Sequence, residues 1–322
     1  MTSPSDQNPA ASAGRTPSGR ELKSYNPAPR FAPWFFVGPA VLLSSCTLLA
    51  PFVYAIILSV HGIKVSGGGF GVRREVYAGF SNYVAAATNP ELWEGFGRML
   101  RVGIVSVPLT LGCALLFALL LDRPNVRFAR FSRLALFVPY AVPGVIASLM
   151  WGFIYLPGVS PVREMFLASG LSAPDFFGER SVFFSIANIS FWGAVGFNTV
   201  ILFTALRGIS PELYDAARID GCSEWQIALH VKLPLLLPAV ALTGLFSLVG
   251  TIQIFSEPKT LEPLSNAIST TWVPVMLVYR ETFISTNVYS GAATAMFVAA
   301  MTTLVSLVLF RVMQRRNQGR NA

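Results

Sequence analysis

Six apolar stretches alternate with polar connections along the chain: Trp34–Val60, Val102–Leu121, Leu134–Leu156, Val182–Leu206, Leu235–Ser256 and Tyr289–Phe310. Each is near the length of roughly 20 residues that a helix needs to cross the hydrocarbon core of a bilayer. The pattern predicts an all-α integral membrane protein with six transmembrane helices over residues 34–310. The first stretch is too long for a signal-peptide core and has no convincing cleavage site after it, so it reads as a span. A further apolar run, Thr271–Tyr279, is too short to cross and is interrupted by Pro274; it reads as a re-entrant or interfacial piece. Residues 1–33, rich in Ser, Pro, Ala and Asn, read as a disordered tail, and residues 311–322 as a second tail.

One polar island, within 207–234, separates the fourth and fifth stretches, and it carries good helix punctuation. Ser210 precedes Pro211, a pairing suited to a cap and a first helical position that needs no N–H. Glu212 and Asp215 follow where the helix dipole favours negative charge. Asp220-Gly221 supplies a stop, because glycine tolerates the left-handed conformation that ends helices. Ser223 and Gln226 form a capping-box pattern that restarts the helix. The island therefore predicts a helix-turn-helix bent at Gly221.

Composition agrees with a membrane protein. Of 322 residues 53% are hydrophobic and 12% charged, with a mean hydropathy of +0.56; a soluble domain carries about twice that charge fraction. The net charge of +8 does not point to nucleic acid, since in a membrane protein an arginine excess reports orientation. Lys and Arg number fifteen in the tails, the 122–133 connection and the polar island, against nine in the other connections. This bias predicts that both termini and the island are cytoplasmic. Cys46, Cys113 and Cys222 are widely separated and read as small apolar fillers. Pro39, Pro51, Pro108, Pro139 and Pro143 lie in or near spans. Any one of them reads first as irregular packing, the sharper alternative being a hinge in a moving bundle.

The chemistry that is missing narrows the function. Asp122, Arg123, Arg207 and Glu257 sit at span ends, and the interiors lack the mid-membrane carboxylates or histidines of a proton relay. No phosphate-binding GxxxxGK[ST] loop, zinc-protease helix or nucleophile elbow occurs, so neither ATP hydrolysis nor another enzyme activity is expected of this chain. His61 and His230 are distant in sequence, and His230 reads as a solvated loop residue. Uncharged polar groups remain: Asn188, Trp192 and Asn198 in the fourth stretch, Gln253 and Phe255 in the fifth. Amides and rings suit a neutral hydroxylated ligand along a substrate pathway. Any one of them reads first as interhelical hydrogen bonding or packing.

The island, read as Asp215-Ala-Ala-Arg-Ile-Asp-Gly221-Cys-Ser-Glu-Trp225-Gln followed by Leu233-Pro234 and Pro238, resembles the cytoplasmic EAA loop of ABC-importer permeases. It is most similar to the carbohydrate branch, which includes the maltose, trehalose and glycerol-phosphate permeases. Phe80-Ser-Asn-Tyr83, Val138-Pro-Tyr-Ala-Val-Pro143 and Tyr289-Ser-Gly-Ala-Ala293 resemble further habits of that family, so the likeness covers nearly the whole chain. Asp215 stands where the family usually has Glu, Ala228 where an aromatic is common, and 257–270 lacks a Gly-rich run found in many relatives.

The resemblance implies a type I importer permease for a sugar or oligosaccharide, in a bacterial cytoplasmic membrane. Its implied partners are a second permease subunit forming a heterodimer, two ATPase subunits that use ATP and Mg, and an extracytoplasmic sugar-binding protein. No cofactor would be bound by the chain itself. The loop would be the coupling helix, with Leu213, Ala216 and Ala217 as a docking stripe, Asp215 and Arg218 pairing with partner charges, and Asp220, Gly221 and Trp225 completing it. The alternatives from other classes are a stand-alone secondary carrier or channel for a small neutral solute, and a membrane enzyme.

Overall fold

The computed structural model describes residues 32–65, 72–123 and 129–318; residues 1–31 of the expected N-terminal tail lie outside them. Two units are distinguished, residues 1–51 and 52–322. In the first, α1 (Ala32–Ser44) passes into a π-helical turn, Ser45–Leu49. Trp34, Phe35, Leu42 and Leu48 are all exposed there, which costs little where the surrounding solvent is hydrocarbon. The apolar helical stretch Val37–Ser59 meets the length and hydropathy of a span, and its last part is α2 (Ala50–Ser59).

The second unit takes in most of α2 and then a strand pair that the periodicity did not announce. Strand β1 (His61–Val65) pairs antiparallel with β2 (Arg73–Tyr77), His61 opposite Tyr77. Its base is locked to α3 (Ser81–Thr88) by the Phe-Ser-Asn-Tyr motif. Asn82 donates to the carbonyls of Ser59 and His61 at 3.0 and 2.7 Å, and the Tyr83 hydroxyl meets Ser59 Oγ at 2.6 Å. The motif therefore has a local role: it satisfies backbone groups where the first span ends.

Helix α4 (Pro90–Leu121) begins twelve residues before the expected second span. Asn89 caps it by accepting from Glu91 N, and Pro90 occupies the first position. The early turns carry Glu91, Glu94, Arg98 and Arg101, which had the look of a loop. They are solvated helix: Arg98 pairs with Glu94 at 2.6 Å and Arg280 reaches Glu91 at 2.6 Å. At 1.5 Å per residue such a helix runs roughly 48 Å, well past a hydrocarbon core of about 30 Å.

The third apolar stretch is two helices, α5 (Ala129–Ala141) and α6 (Gly144–Tyr155). They meet at 96°. Pro143 caps α6 without an N–H to give, and it disfavours helical backbone at Val142. Here the reading of proline as mere irregular packing gives way to a full break. Among the described residues five helices are long and apolar enough to cross, or six when the bent pair counts as one.

After α7 (Pro161–Ala168), α8 (Val182–Arg207) runs through the middle of the unit. The island follows as α9 (Pro211–Ile219) and α10 (Glu224–Ile227), then a π-helical turn, Ala228–Lys232, and α11 (Leu233–Ile252). Next come α12 (Ser256–Leu261) and α13 (Pro274–Tyr279). The Thr271–Tyr279 run is a buried return: Trp272 and Val273 are 2% and 0% exposed, and α4 packs on it through Gly95, whose Cβ would meet Pro274 N at 3.2 Å. Finally α14 (Val288–Gln318) continues well past Phe310 into the expected C-terminal tail.

Two buried clusters hold α8. One joins it to α4 and α11 through Ala114, Ala118, Leu202, Leu206 and Leu236. The other joins it to α6 and the return through Val102, Ile186, Tyr155, Leu261 and Trp272. Lipid is as apolar as leucine, so these faces are held by close packing rather than by escape from water. The tightest of the described glycines is Gly196, where a Cβ would overlap the Leu136 carbonyl oxygen of α5.

Replacing Gly196 by Ala is therefore expected to cost at least about 1–3 kcal/mol, read as a lowered unfolding midpoint of the purified protein. Gly112→Ala, where a Cβ meets nothing within 4 Å, should leave the midpoint unchanged or raise it.

Candidate functional site

The island forms the predicted two helices with the bend at Gly221, whose φ is +82°. The helix ends in a double closure: Cys222 N donates to Ala217 O and Gly221 N to Arg218 O, both at 3.0 Å, the Schellman arrangement. The capping box is complete, with Gln226 N donating to Ser223 Oγ and Ser223 N to Gln226 Oε1. Ser210 differs from expectation: its backbone is extended but its side chain makes no capping bond. A Cβ at Gly221 would meet nothing within 4 Å, so glycine is needed there for its backbone, not for room.

Arg218 makes contacts within the loop: it donates to Asp215 at 2.8 Å and to Glu224 at 2.9 Å, bridging the two helices. Hydrogen bonding and charge from Glu224, and then from Asp215, push the guanidinium above its ordinary value against desolvation. Leu213, Ile219 and Trp225 are left 49%, 86% and 64% exposed, and Ala216 and Asp220 are exposed while Ala217 is half-buried. Ile219, the most exposed of these, was absent from the expected stripe.

Beneath the loop lies a cluster that sequence reasoning missed. Lys232 Nζ meets Asp122 Oδ2 at 2.6 Å, with side chains 9% and 7% exposed. Arg207 Nε faces the other oxygen at 3.9 Å. Lys232 Nζ also sits over the ring of Tyr214, 4.7 Å from its centroid. Asp122 caps the C-terminus of α4, Arg207 ends α8, Lys232 leads into α11 and Tyr214 belongs to α9. Three long helices and the loop thus meet on one carboxylate. Burial first, and the Asp122 charge second, push the Tyr214 phenol up from 10.0, Arg207 opposing, so it stays protonated. Its hydroxyl is buried with no hydrogen-bond partner.

The residues read as a substrate pathway scatter. Asn188 donates to the Tyr155 hydroxyl at 2.8 Å, Trp192 packs edge-on to Trp151, and Phe255 lies against Tyr279. Gln253 caps α11 and is exposed. Of these only Asn198 borders a cavity of about 470 Å³ between α4, the α5–α6 break, α8 and α11. Ser106, Thr110, Ser190, Ser247 and Thr251 bring hydroxyls to it, and Tyr140, Phe197 and Phe246 bring rings. Tyr140 stacks on Phe197 at 4.6 Å, and Ser247 donates to Asn198 Oδ1 at 3.4 Å. Glu257 lines it too. Cavities of this size and mixed lining suit small polar ligands. Among the described residues no group of three or more His, Cys, Asp or Glu is placed to hold a metal.

Residues 111–320 match the family of binding-protein-dependent transport system inner membrane components. The chain belongs to this family. It is a multi-pass permease and not an enzyme, and the stand-alone carrier is set aside with the enzyme. The permease is 27% identical to the lactose transport system permease protein LacF of Rhizobium radiobacter, over 88% of this chain and 94% of that one. It is 24% identical to the arabinooligosaccharides permease AraP of Bacillus subtilis, over 94% of each. Its fold matches a bacterial ABC transporter involved in import of the acidic polysaccharide alginate, with a TM-score of 0.75 and 17% identity over 88% of this chain and 96% of that one.

In the permease, Lys232→Met or Asp122→Asn alone is expected to cost about 3–5 kcal/mol, because each strands a buried charge, while the double variant recovers most of the loss. Unfolding midpoints of the four proteins check this; simple additivity of the single losses contradicts it. Tyr214→Phe removes a partnerless buried hydroxyl and should leave stability equal or about 1 kcal/mol higher, measured the same way.

Proposed function

We propose that this permease carries sugar or oligosaccharide through the cytoplasmic membrane of a bacterium as half of a heterodimeric path. Two ATPase subunits, which bind ATP and Mg, dock on the loop 207–234 at the cytoplasmic face, and an extracytoplasmic binding protein delivers the solute. The relatives named for lactose and arabinooligosaccharides support the substrate class, and so does a cavity with hydroxyl, amide and ring groups. Residues 34–310 form the permease domain, with both termini cytoplasmic. That side is supported by the arginines at 123, 130 and 133 lying at the same end of α4 as Asp122, to which the loop is tied.

One observation carries the coupling role: the loop presents exposed Leu213, Ile219 and Trp225 on two helices that Arg218 clamps together, while Lys232 anchors its base to Asp122. Exposed apolar side chains on a rigid polar element suit docking into a protein cleft. A push on such an element moves α4, α8 and α11 together instead of being absorbed by a soft loop.

The test is replacement of Ile219 by Asp in the complete transporter. Since Ile219 is 86% exposed, the fold should be unaffected, whereas recovery of the ATPase subunits with the permease and ATP-driven uptake should fall at least about tenfold. Full recovery and uptake, with Leu213→Asp equally silent, would refute docking at this loop.

A further inference from the structure

Glu257 stands apart from the rest of the cavity wall. Among the described residues that line the cavity it is the only Asp, Glu, Lys, Arg or His. Lys259, two positions on, is engaged elsewhere, with Glu262 at 2.7 Å and over the Tyr279 ring at 5.2 Å. Among the described residues no Lys or Arg forms an ion pair with Glu257. The residue lies in the first turn of α12, where the helix dipole favours a carboxylate. The α6 N-terminus at Gly144 also borders the cavity, but a helix end supplies only about half an elementary charge, less than the full charge facing it.

We propose that Glu257 is a charge filter: this permease's part of the solute path admits polyhydroxylated ligands that are neutral or carry an amine, and disfavours carboxylated, phosphorylated or sulfonated sugars. The inference rests on the reading of the cavity as solute path. Its physical basis is that a cavity walled by protein and bilayer screens charge poorly, so one carboxylate acts on everything that enters. Neutral sugars lose nothing, since a carboxylate accepts from hydroxyl pairs as well as from ammonium groups. An anionic sugar meets repulsion with no lysine or arginine in this wall to offset it. The neighbour of like fold is described as importing an acidic polysaccharide, so the fold alone does not dictate the sign of the filter.

The experiment reads the cavity's charge without knowing the sugar. Cys46, Cys113 and Cys222 are replaced by Ser in the complete transporter, and a single Cys is placed at Gly250 or Gly193. Both line the cavity, and a Cβ at either meets nothing within 4 Å, so two independent reporters fit without strain. Labelling rates are compared for a trimethylammonium and a sulfonate methanethiosulfonate reagent, each corrected for its rate with free thiol. The cationic reagent is expected to be favoured roughly tenfold or more, Glu257→Gln to bring the ratio near one, and Glu257→Lys to reverse it. A ratio near one before substitution, or a preference that Glu257→Gln leaves intact, overturns the filter while the cavity remains a path. If neither reagent labels either cysteine, the cavity is not a path and the proposal falls with that reading.

Discussion

Lys232 cannot be buried where it is without Asp122. A lone ammonium in that setting would forfeit several kcal/mol of hydration, and the carboxylate 2.6 Å away is what makes its position tenable. The pair does more than neutralise. Asp122 ends α4, a place where the helix dipole disfavours negative charge, so it too needs the cation. Arg207, at the end of α8, faces its second oxygen, and the Tyr214 ring covers the ammonium. Asp122 and Lys232 are each tolerable only because the other is present, and with Arg207 and Tyr214 they hold the polar loop against three long helices.

The loop above this junction is stiff for local reasons. Its turn is closed by two backbone bonds around Gly221, its second helix by a complete capping box, and its two helices by Arg218. A rigid element set on a rigid anchor can pass displacement to the helices below. Part-way along those helices the packing is built differently. The α5–α6 break and the loop between α11 and α12 meet there, with Gly144 close enough that a Cβ would touch Ser256 at 3.4 Å. Irregular backbone at membrane depth is tolerated where protein buries it or a cavity lines it, and the break does line a cavity. Broken helices of this kind place polar groups at mid-depth, where an unbroken apolar helix offers none.

Much of this was legible along the chain. The candidate spans followed from apolar length, because the bilayer sets that length. The helix-turn-helix at 211–227 followed from Pro211, Gly221, Ser223 and Gln226, because capping is a matter of neighbours within a few residues. The family resemblance rested on the same stretch, and the match over residues 111–320 agrees with it. What the linear reading left open shares a cause. The outer turns of α4 carry charges that look like loop until their helical pairs are seen, as in Arg98 and Glu94. Asn188, Trp192, Gln253 and Phe255 had suitable chemistry, but which helix face meets the cavity depends on rotation that a nearly uniform apolar helix does not encode.

The sequence by itself determined what kind of protein this is: a many-span membrane chain without ATP chemistry, interrupted by a well-capped polar loop of a recognisable family. Those features depend on composition and on short-range geometry. Only the tertiary structure decided that Asp122 and Lys232 are one unit across 110 residues, that Tyr140 and Phe197 form one wall, and that Glu257, a span-end residue in the linear reading, faces the cavity. These are contacts between helices, and in hydrocarbon their choice rests on shape and polar pairing rather than on any pattern within a single helix.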